Sequence, residues 1–410
     1  MGDRPSLTVA GSEWFEAPQT RALFAALNVE GHDTRAVGGA VRNTLMGLPV
    51  GEVDFATTAT PEEVTAIARK AGLKPVPTGL QHGTVTVVVD GEPFEVTTLR
   101  QDVETFGRHA SVKFTRDWAM DASRRDFTIN ALYASADGTV HDPLGGYPDV
   151  IARRVRFIGS ARERIREDYL RILRFFRFTA NYGREPDAGS IAACIAEREG
   201  MRKLSAERVR TELLRFLEAR EPLRALVPMS EAGFLAMLLG GVVRVGHAAA
   251  LLAIEAANGL PRDPLRSLAA LGLMIEEDAH RLTGRLRLSN AEAARLETMA
   301  TLEPRLAGGM EPLAAKTALY RLGQPRFLDR VLIAWARSGA APDHAAWRDL
   351  LALPERWEPP VFPLRGEDLI AAGLRRGPRI GAALRQLEEA WITSDFALTR
   401  DELLALSPVP

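Results

Sequence analysis

A chain of 410 residues exceeds what one ordinary core can hold, so roughly two to four domains are expected. Its 46% apolar and 26% charged residues are those of a globular protein, and a net charge of −1 excludes a global basic field, so any nucleic-acid site must be a local patch. The single Cys194 excludes an intrachain disulfide framework, Met1–Pro18 lacks an apolar h-region, and no apolar run reaches the ~18 residues of a membrane span; a cytoplasmic protein is expected.

Thr20–Leu27 reads as an opening helix, and Arg35–Val37 as a strand that ends in Gly38-Gly39 before a short helix over Ala40–Met46. Paired glycines between strand and helix let the backbone approach a ligand, and the new helix turns bare N–H groups toward it. Such a turn suits phosphate, and Arg42 adds a charge-assisted donor. Glu52 and Asp54 then alternate with Val53 and Phe55, as in a half-buried strand with both carboxylates on one face. Taken singly, Gly-Gly is a turn and acid-x-acid a solvated face. Together and in this order they could hold Mg²⁺ against a triphosphate.

Thr60-Pro-Glu-Glu63 is a capping box that starts a helix to about Ala71, and Asp90-Gly91 between Thr84–Val89 and Pro93–Leu99 marks a hairpin. Glu95 lies opposite Phe94 and Val96, so it becomes a third acid if the hairpin neighbours the Glu52/Asp54 strand. Gln101–Met120 shows little periodicity and much charge (Asp102, Glu104, Arg108, His109, Lys113, Arg116, Asp117), and reads as a functional or disordered loop. Arg125, Asp126 and Asn130 follow; each could touch phosphate or ribose, although neighbouring Arg and Asp are more commonly a surface pair. A Gly-Gly turn between Asp142 and Asp149 closes this mixed region.

From about Ala161 the chain reads as helical. Residues 153–177 carry nine arginines, the local basic patch that the net charge conceals. Tyr169, Ile172, Leu173 and Phe176 form a core stripe, and the other side presents Glu167, Asp168, Arg171 and Arg174, on spacing alone a solvated face with Glu167 and Arg171 as an i,i+4 pair. Leu204–Leu406 is repeatedly amphipathic, with boundaries suggested near Glu221-Pro222, Gly323–Pro325 and Leu353–Pro363. Its one adjacent Asp-His pair, Asp343-His344, is weak evidence for a phosphohydrolase site.

These motifs, in order and spacing, resemble class II CCA tRNA nucleotidyltransferases and their bacterial poly(A) polymerase relatives. The likeness rests on Gly38-Gly-Ala-Val-Arg-Asn43, Glu52-Val-Asp54, His82-Gly-Thr-Val85 and Glu95-Val-Thr-Thr-Leu-Arg100. It continues through Arg124-Arg-Asp-Phe-Thr-Ile-Asn130, Asp142-Pro-Leu-Gly-Gly146 and Arg166-Glu-Asp-Tyr-Leu-Arg171 to the glycine-bearing tail from Gly366. The resemblance implies an α+β protein: a polymerase-beta-like nucleotidyltransferase head (1–150) of mixed sheet, then an all-helical neck (151–221), body (222–322) and tail (323–410), arranged like a seahorse. It further implies that Glu52, Asp54 and Glu95 hold Mg²⁺, and that Gly38, Gly39, Arg42 and Arg125 serve the nucleotide phosphates. Asp126 would lie by the ribose, and Asn130, Asp168, Arg171, Arg174 and Arg177 in the nucleotide pocket.

Read this way, Asp168 accepts from the amino group of cytosine or adenine and Arg171 donates to the ring nitrogen. Uracil and guanine present the reverse pattern and would leave buried polar groups unpaired. CTP and ATP are thus the implied substrates, with a small shift of the pair, levered by Gln101–Met120, switching between them. The neck and tail would grip the acceptor stem and TΨC arm of tRNA through phosphates.

Two residues depart from the family pattern. Glu52 stands where the family has Asp, moving the carboxylate by roughly 1–1.5 Å, and Asn43 removes a charge that could orient Arg42. A poly(A) polymerase, a CC-only or A-only adder, and a catalytically idle tRNA-binding scaffold are the competing readings.

Overall fold

The strand before Gly38 lies inside a mixed sheet, and its neighbours in that sheet determine what the Gly-Gly turn faces. The computed structural model describes residues 7–106 and 109–407, in two units, Met1–Leu235 and Ala236–Pro410. In the first, nine strands are described: β1 (Thr34–Val37), β2 (Asp54–Thr57), β3 (Lys74–Gly79), β4 (Thr84–Val89), β5 (Glu92–Thr98), β6 (Arg100–Phe106), β7 (His109–Phe114), β8 (Tyr133–Ala134) and β9 (Val140–His141). Seven of them form one sheet in the order β3-β4-β5-β2-β1-β8-β9, and β6 and β7 pair separately.

Short-range chemistry accounts for much of this sheet. Asp90 and Gly91 take φ of 50° and 88°, and the two-residue turn closes with Val89 opposite Glu92. Thr60 and Glu63 cap the helix Pro61–Lys70 reciprocally. β5 pairs in parallel with β2, Val96 opposite Phe55. Phe55 and Phe94 meet edge to face at 5.8 Å and Phe24 joins Phe55 at 5.1 Å, so this face is core, backed by Pro18–Leu27. Period 2 then turns Asp54 and Glu95 together to the opposite face. The adjacency on which the third acid depended is present.

Two local expectations change. The strand begins at Asp54, so Glu52 lies in the irregular segment before it and not one pleat along the same strand. Gln101–Met120 is no irregular loop: most of it is the β6–β7 hairpin, in register from Arg100↔Phe114 to Phe106↔His109, followed by a helix from Trp118 that Asp117 caps. Arg108 lies outside the described residues. The charged, aperiodic sequence of the segment, with Asp102, Glu104, Arg108, His109, Lys113, Arg116 and Asp117, imitates a loop.

Beyond the sheet the first unit is helical. The expected continuous helix through the arginine-rich segment is broken at Asp168 (φ −153°, ψ 108°) into Ala161–Glu167 and Leu170–Tyr182. Ile172, Leu173 and Phe176 are buried as the stripe requires, with Phe175 and Phe178 added, whereas Tyr169 is half-buried ahead of the second helix. Ala206–Leu217 packs alongside, burying Val209, Leu213 and Phe216.

In the second unit every described secondary-structure element from Val245 onward is a helix, joined by irregular segments such as 301–311 and 357–365. The Trp335 and Trp347 rings stack at 6.0 Å, and Leu369, Leu387, Trp391 and Leu403 form a separate cluster near its end. A capping box at Ser289 opens Asn290–Ala300 as its sequence anticipates. Asp343 and His344 are exposed, and no helix of the described residues is long and apolar enough to cross a membrane.

Candidate active site

One cavity of about 830 Å³ in the first unit is lined by every residue that the sequence singled out for nucleotide and metal: Gly38, Gly39 and Arg42; Glu52, Asp54 and Glu95; Arg125, Asp126 and Asn130; Asp168, Arg171, Arg174 and Arg177. They come from the β1 turn, the β2–β5 pair and the segment leading into β2, the segment before β8, the break at Asp168 and the Leu170–Tyr182 helix. Gly38 takes φ 72° and ψ −113°, backbone that side-chain-bearing residues avoid, and this kink starts the helix Gly39–Met46.

Arg42 is 5% exposed, and its guanidinium is held on every side. Nε and Nη2 donate to Asn43 Oδ1 at 3.1 and 2.8 Å, Nη1 donates to Asn130 Oδ1, and the group sits 3.7 Å from the centroid of the Tyr182 ring. Asn43 therefore still orients Arg42, while its own Nδ2 donates to the Pro49 carbonyl at 2.7 Å. Because an amide does the orienting, the arginine keeps its full charge for an anion. Burial pulls its pKa down, without consequence at neutral pH.

Asn130 continues the chain by donating through Nδ2 to Asp126 Oδ1 at 3.0 Å. Asp126 Oδ2 takes a two-pronged donation from Arg174 at 2.8 and 2.6 Å, and the Phe127 N–H donates to Oδ1 at 2.9 Å. Burial opposes its charge, but Arg174, the Asn130 hydrogen bond and Arg171 hold the carboxyl below its ordinary range. With four donors on two oxygens, Asp126 is placed to aim Arg174 more than to receive a ribose hydroxyl. Nor does it pair with its neighbour: Arg125 donates to Asp121 and to the Tyr133 hydroxyl, both at 3.2 Å. Asp121, fully buried, also binds Arg124 at 2.8 Å and accepts from the Tyr133 hydroxyl at 2.8 Å.

The acidic wall is Asp54 and Glu95, with Glu52 close by. Asp54 can be reached from the cavity, yet the surrounding protein thins its water; that desolvation first, then Glu95 and Glu52, push its carboxyl up against the opposing pull of Arg125. An all-oxygen set of mutually repelling carboxylates suits a hard divalent cation. Among the described residues no group of three or more His, Cys, Asp or Glu is ready-made to hold a metal.

Asp168 and Arg171 share the cavity without pairing. Asp168 Oδ2 accepts from Arg208 Nη2 at 2.6 Å and Oδ1 from the Leu170 N–H at 3.1 Å. Arg171 Nη1 binds Glu167 and the Arg164 carbonyl; among the described residues its bonds run from Nη1 alone, leaving Nε and Nη2 as donors. The i,i+4 pair read from spacing thus exists and helps to point Arg171, without excluding it from the cavity.

Sequence reasoning missed Arg208 and Arg215, which also line the cavity, and Glu212 between them, which binds Arg177. The i,i+7 spacing of the two arginines across the buried stripe of Ala206–Leu217 was the available signal. The basic patch is also less basic than its count. Eight of the nine arginines at 153–177 meet a carboxylate, shared among Asp126, Asp149, Glu167, Glu197 and Glu212; Arg153 donates to the Met46 carbonyl.

Residues 34–156 match the Poly A polymerase head domain family. The chain is 35% identical over 395 residues to the mitochondrial CCA tRNA nucleotidyltransferase 1 of Mus musculus, covering 93% of this chain and 87% of the relative. It is 31% identical to the CCA-adding enzyme of Limosilactobacillus fermentum, over 93% and 95% of the two chains. Among solved structures, the Bacillus stearothermophilus CCA-adding enzyme in complex with CTP superposes with a TM-score of 0.73 at 28% identity, covering 95% of each chain.

Proposed function

This chain belongs to the CCA-adding tRNA nucleotidyltransferase family, and on that premise we propose that it adds C, C and A to the 3′ end of tRNA from CTP and ATP, without a nucleic-acid template, releasing pyrophosphate. The observation that carries the reading is the single cavity in which a Gly-Gly turn, an acidic wall and the free edges of Asp168 and Arg171 converge.

The N–H groups after Gly38 and the charge of Arg42 take the triphosphate, with Arg125 beside them. Asp168 keeps a lone pair on each oxygen beyond its present donors, and Arg171 keeps Nε and Nη2. An amino group beside a ring-nitrogen acceptor fits that pair, and a carbonyl beside an N–H does not. Arg174 and Arg177 are aimed by Asp126 and Glu212 and complete the cationic side of the pocket.

Asp54 and Glu95, with Glu52 at their side, would hold Mg²⁺, which when bound activates the 3′-hydroxyl and stabilises the leaving pyrophosphate. The β6–β7 hairpin is the lever that shifts the base-reading pair between C and A. The division into head, neck, body and tail, with the tail helices from residue 323 gripping the acceptor stem and TΨC arm, and a cytoplasmic location accompany this reading.

Its test is incubation of the purified protein and Mg²⁺ with tRNA transcripts ending before, within and after CC, with CTP and ATP singly and together, followed by sequencing of the added residues. Addition of C, C and A followed by arrest supports the reading. An extended A tail, C-only or A-only addition, or tRNA binding without addition would each replace it. Asp54→Asn and Glu95→Gln should lower kcat by ~10³-fold or more while leaving CTP binding measurable.

A further inference from the structure

The second unit contains a cavity of about 310 Å³ that carries three guanidinium groups, Arg305, Arg330 and Arg337, on a wall that includes Leu306, Ile333 and Trp347. Arg305 is exposed, Arg337 half-buried, and Arg330 only 5% exposed. Among the described residues none of the three makes an ion pair with a carboxylate. Arg330 donates to the carbonyls of Glu303 and Pro304 at 2.9 and 2.6 Å, and Arg337 Nη2 to the carbonyl of Leu273 at 2.6 Å. Arg337 Nε is buried with no acceptor.

Carbonyl acceptors satisfy N–H groups but leave the charge in place, and charge buried without a counter-ion is unfavourable. The acids that bear on the cluster do not remove it. Glu303 acts on Arg330 from a distance, and Asp278, which acts on Arg337, is engaged by Arg281. Arg244 adds a further positive charge near Arg337, and His247, whose Nδ1 is buried without a partner, lies near both. The cluster therefore has an excess of donors and of positive charge in a space large enough for a small anion.

We propose that this cavity is a second anion site, which takes a phosphate group through Arg305, Arg330 and Arg337. Planar guanidinium forks match phosphate oxygens, and the group can belong to bound RNA or to a free phosphate or pyrophosphate ion. The site shares no residue with the cavity of the first unit and does not depend on the function assigned to it.

The test uses the full chain and titrates inorganic phosphate or pyrophosphate at constant ionic strength set with chloride, the first cavity's own anion binding being common to the wild type and both variants. Calorimetry and thermal melting are read for the wild type, Arg305→Gln and Arg337→Gln. The expected result is saturable binding that raises Tm in the wild type and weakens at least about fivefold in Arg305→Gln, whose exposed side chain can be changed without unfolding the protein. Binding of a tRNA transcript to the same proteins separates the sources. A weakened transcript that phosphate displaces assigns the site to RNA, and an unchanged transcript affinity with lost phosphate binding assigns it to the free ion. Phosphate and transcript affinities that are the same in both variants as in the wild type, or a chloride titration giving the same rise in Tm, would overturn the proposal.

Discussion

Arg208 has no counterpart among the residues read from sequence motifs, yet it grips Asp168 at 2.6 Å, and replacing it with alanine isolates that contact. A hydrogen bond between charged groups contributes ~1.5–3 kcal/mol. Both side chains here remain about one-fifth accessible, 18% and 22%, so solvent screening reduces the expected value to ~1–1.5 kcal/mol. At ~1.4 kcal/mol per tenfold change, kcat/KM for CTP and ATP should fall ~5–10-fold, chiefly through KM, because a loosened Asp168 meets the base amino group less often. Discrimination against UTP and GTP should narrow by a similar factor. Steady-state kinetics on a transcript ending before CC, run with each of the four nucleotides, reads both quantities, and a melting curve guards against a trivial loss of fold. Arg208→Lys should fall between wild type and alanine, since it keeps the charge and loses the fork. If kcat/KM drops while the ratio of CTP to UTP usage stays at its wild-type value, Arg208 is merely structural and the positioning argument fails.

Asn43→Ala removes the one oxygen that accepts two hydrogen bonds from the buried Arg42 and should raise KM for CTP several-fold, at a stability loss of ~1–3 kcal/mol, whereas Asn43→Asp should stay within about twofold of wild-type activity, its stronger pull on Arg42 offset by the lost donation to Pro49. Gly38→Ala places a Cβ at φ 72°, ψ −113° and should lower Tm through ~1–3 kcal/mol of backbone strain although the nearest foreign atoms are 3.8 Å away; an unchanged Tm would contradict the reading of that turn. In the second unit, burial and then Asp263 push Glu255 up to about 7 against the pull of Arg266, so this acid destabilises the fold when ionised, and stability should rise as pH falls from about 7 toward the ordinary carboxylate value. Glu255→Gln should therefore raise the Tm of that unit at pH 8, by the equivalent of ~1–3 kcal/mol, with the gain shrinking by pH 5. Asp121 and Asp126 carry the opposite sign: burial opposes their charge, but their arginines hold both carboxyls low, so the stability they contribute is complete above the ordinary carboxylate pKa and is lost as pH falls from there through their lowered folded values, giving a Tm that drops below about pH 4 and drops less steeply in Asp121→Asn.

Motifs whose meaning is local are legible in the chain itself. The turn at Gly38, the Asp90-Gly91 hairpin and the Thr60 capping box each follow from backbone freedom or hydrogen bonds spanning a few residues, and each is present. The face on which Glu95 lies follows from period 2, and its union with Asp54 rests on a single strand pairing, β2 with β5. The β6–β7 arm reads as a loop because its sequence lacks the apolar alternation by which strands are recognised, and its pairing is set by cross-strand backbone hydrogen bonds.

By itself the sequence determined which chemical groups this protein brings together: two close acids after a Gly-Gly turn, and an acid and an arginine three residues apart in the arginine-rich segment. Tertiary structure decided how each group is spent. It made Asp126 a clamp on Arg174, gave Asp168 to Arg208 forty residues away, and set five carboxylates against eight arginines of the basic patch. Periodicity reports only the face a side chain occupies on its own element. A charged group's role depends on the charge across from it, and that partner is placed by chain packing over long separations.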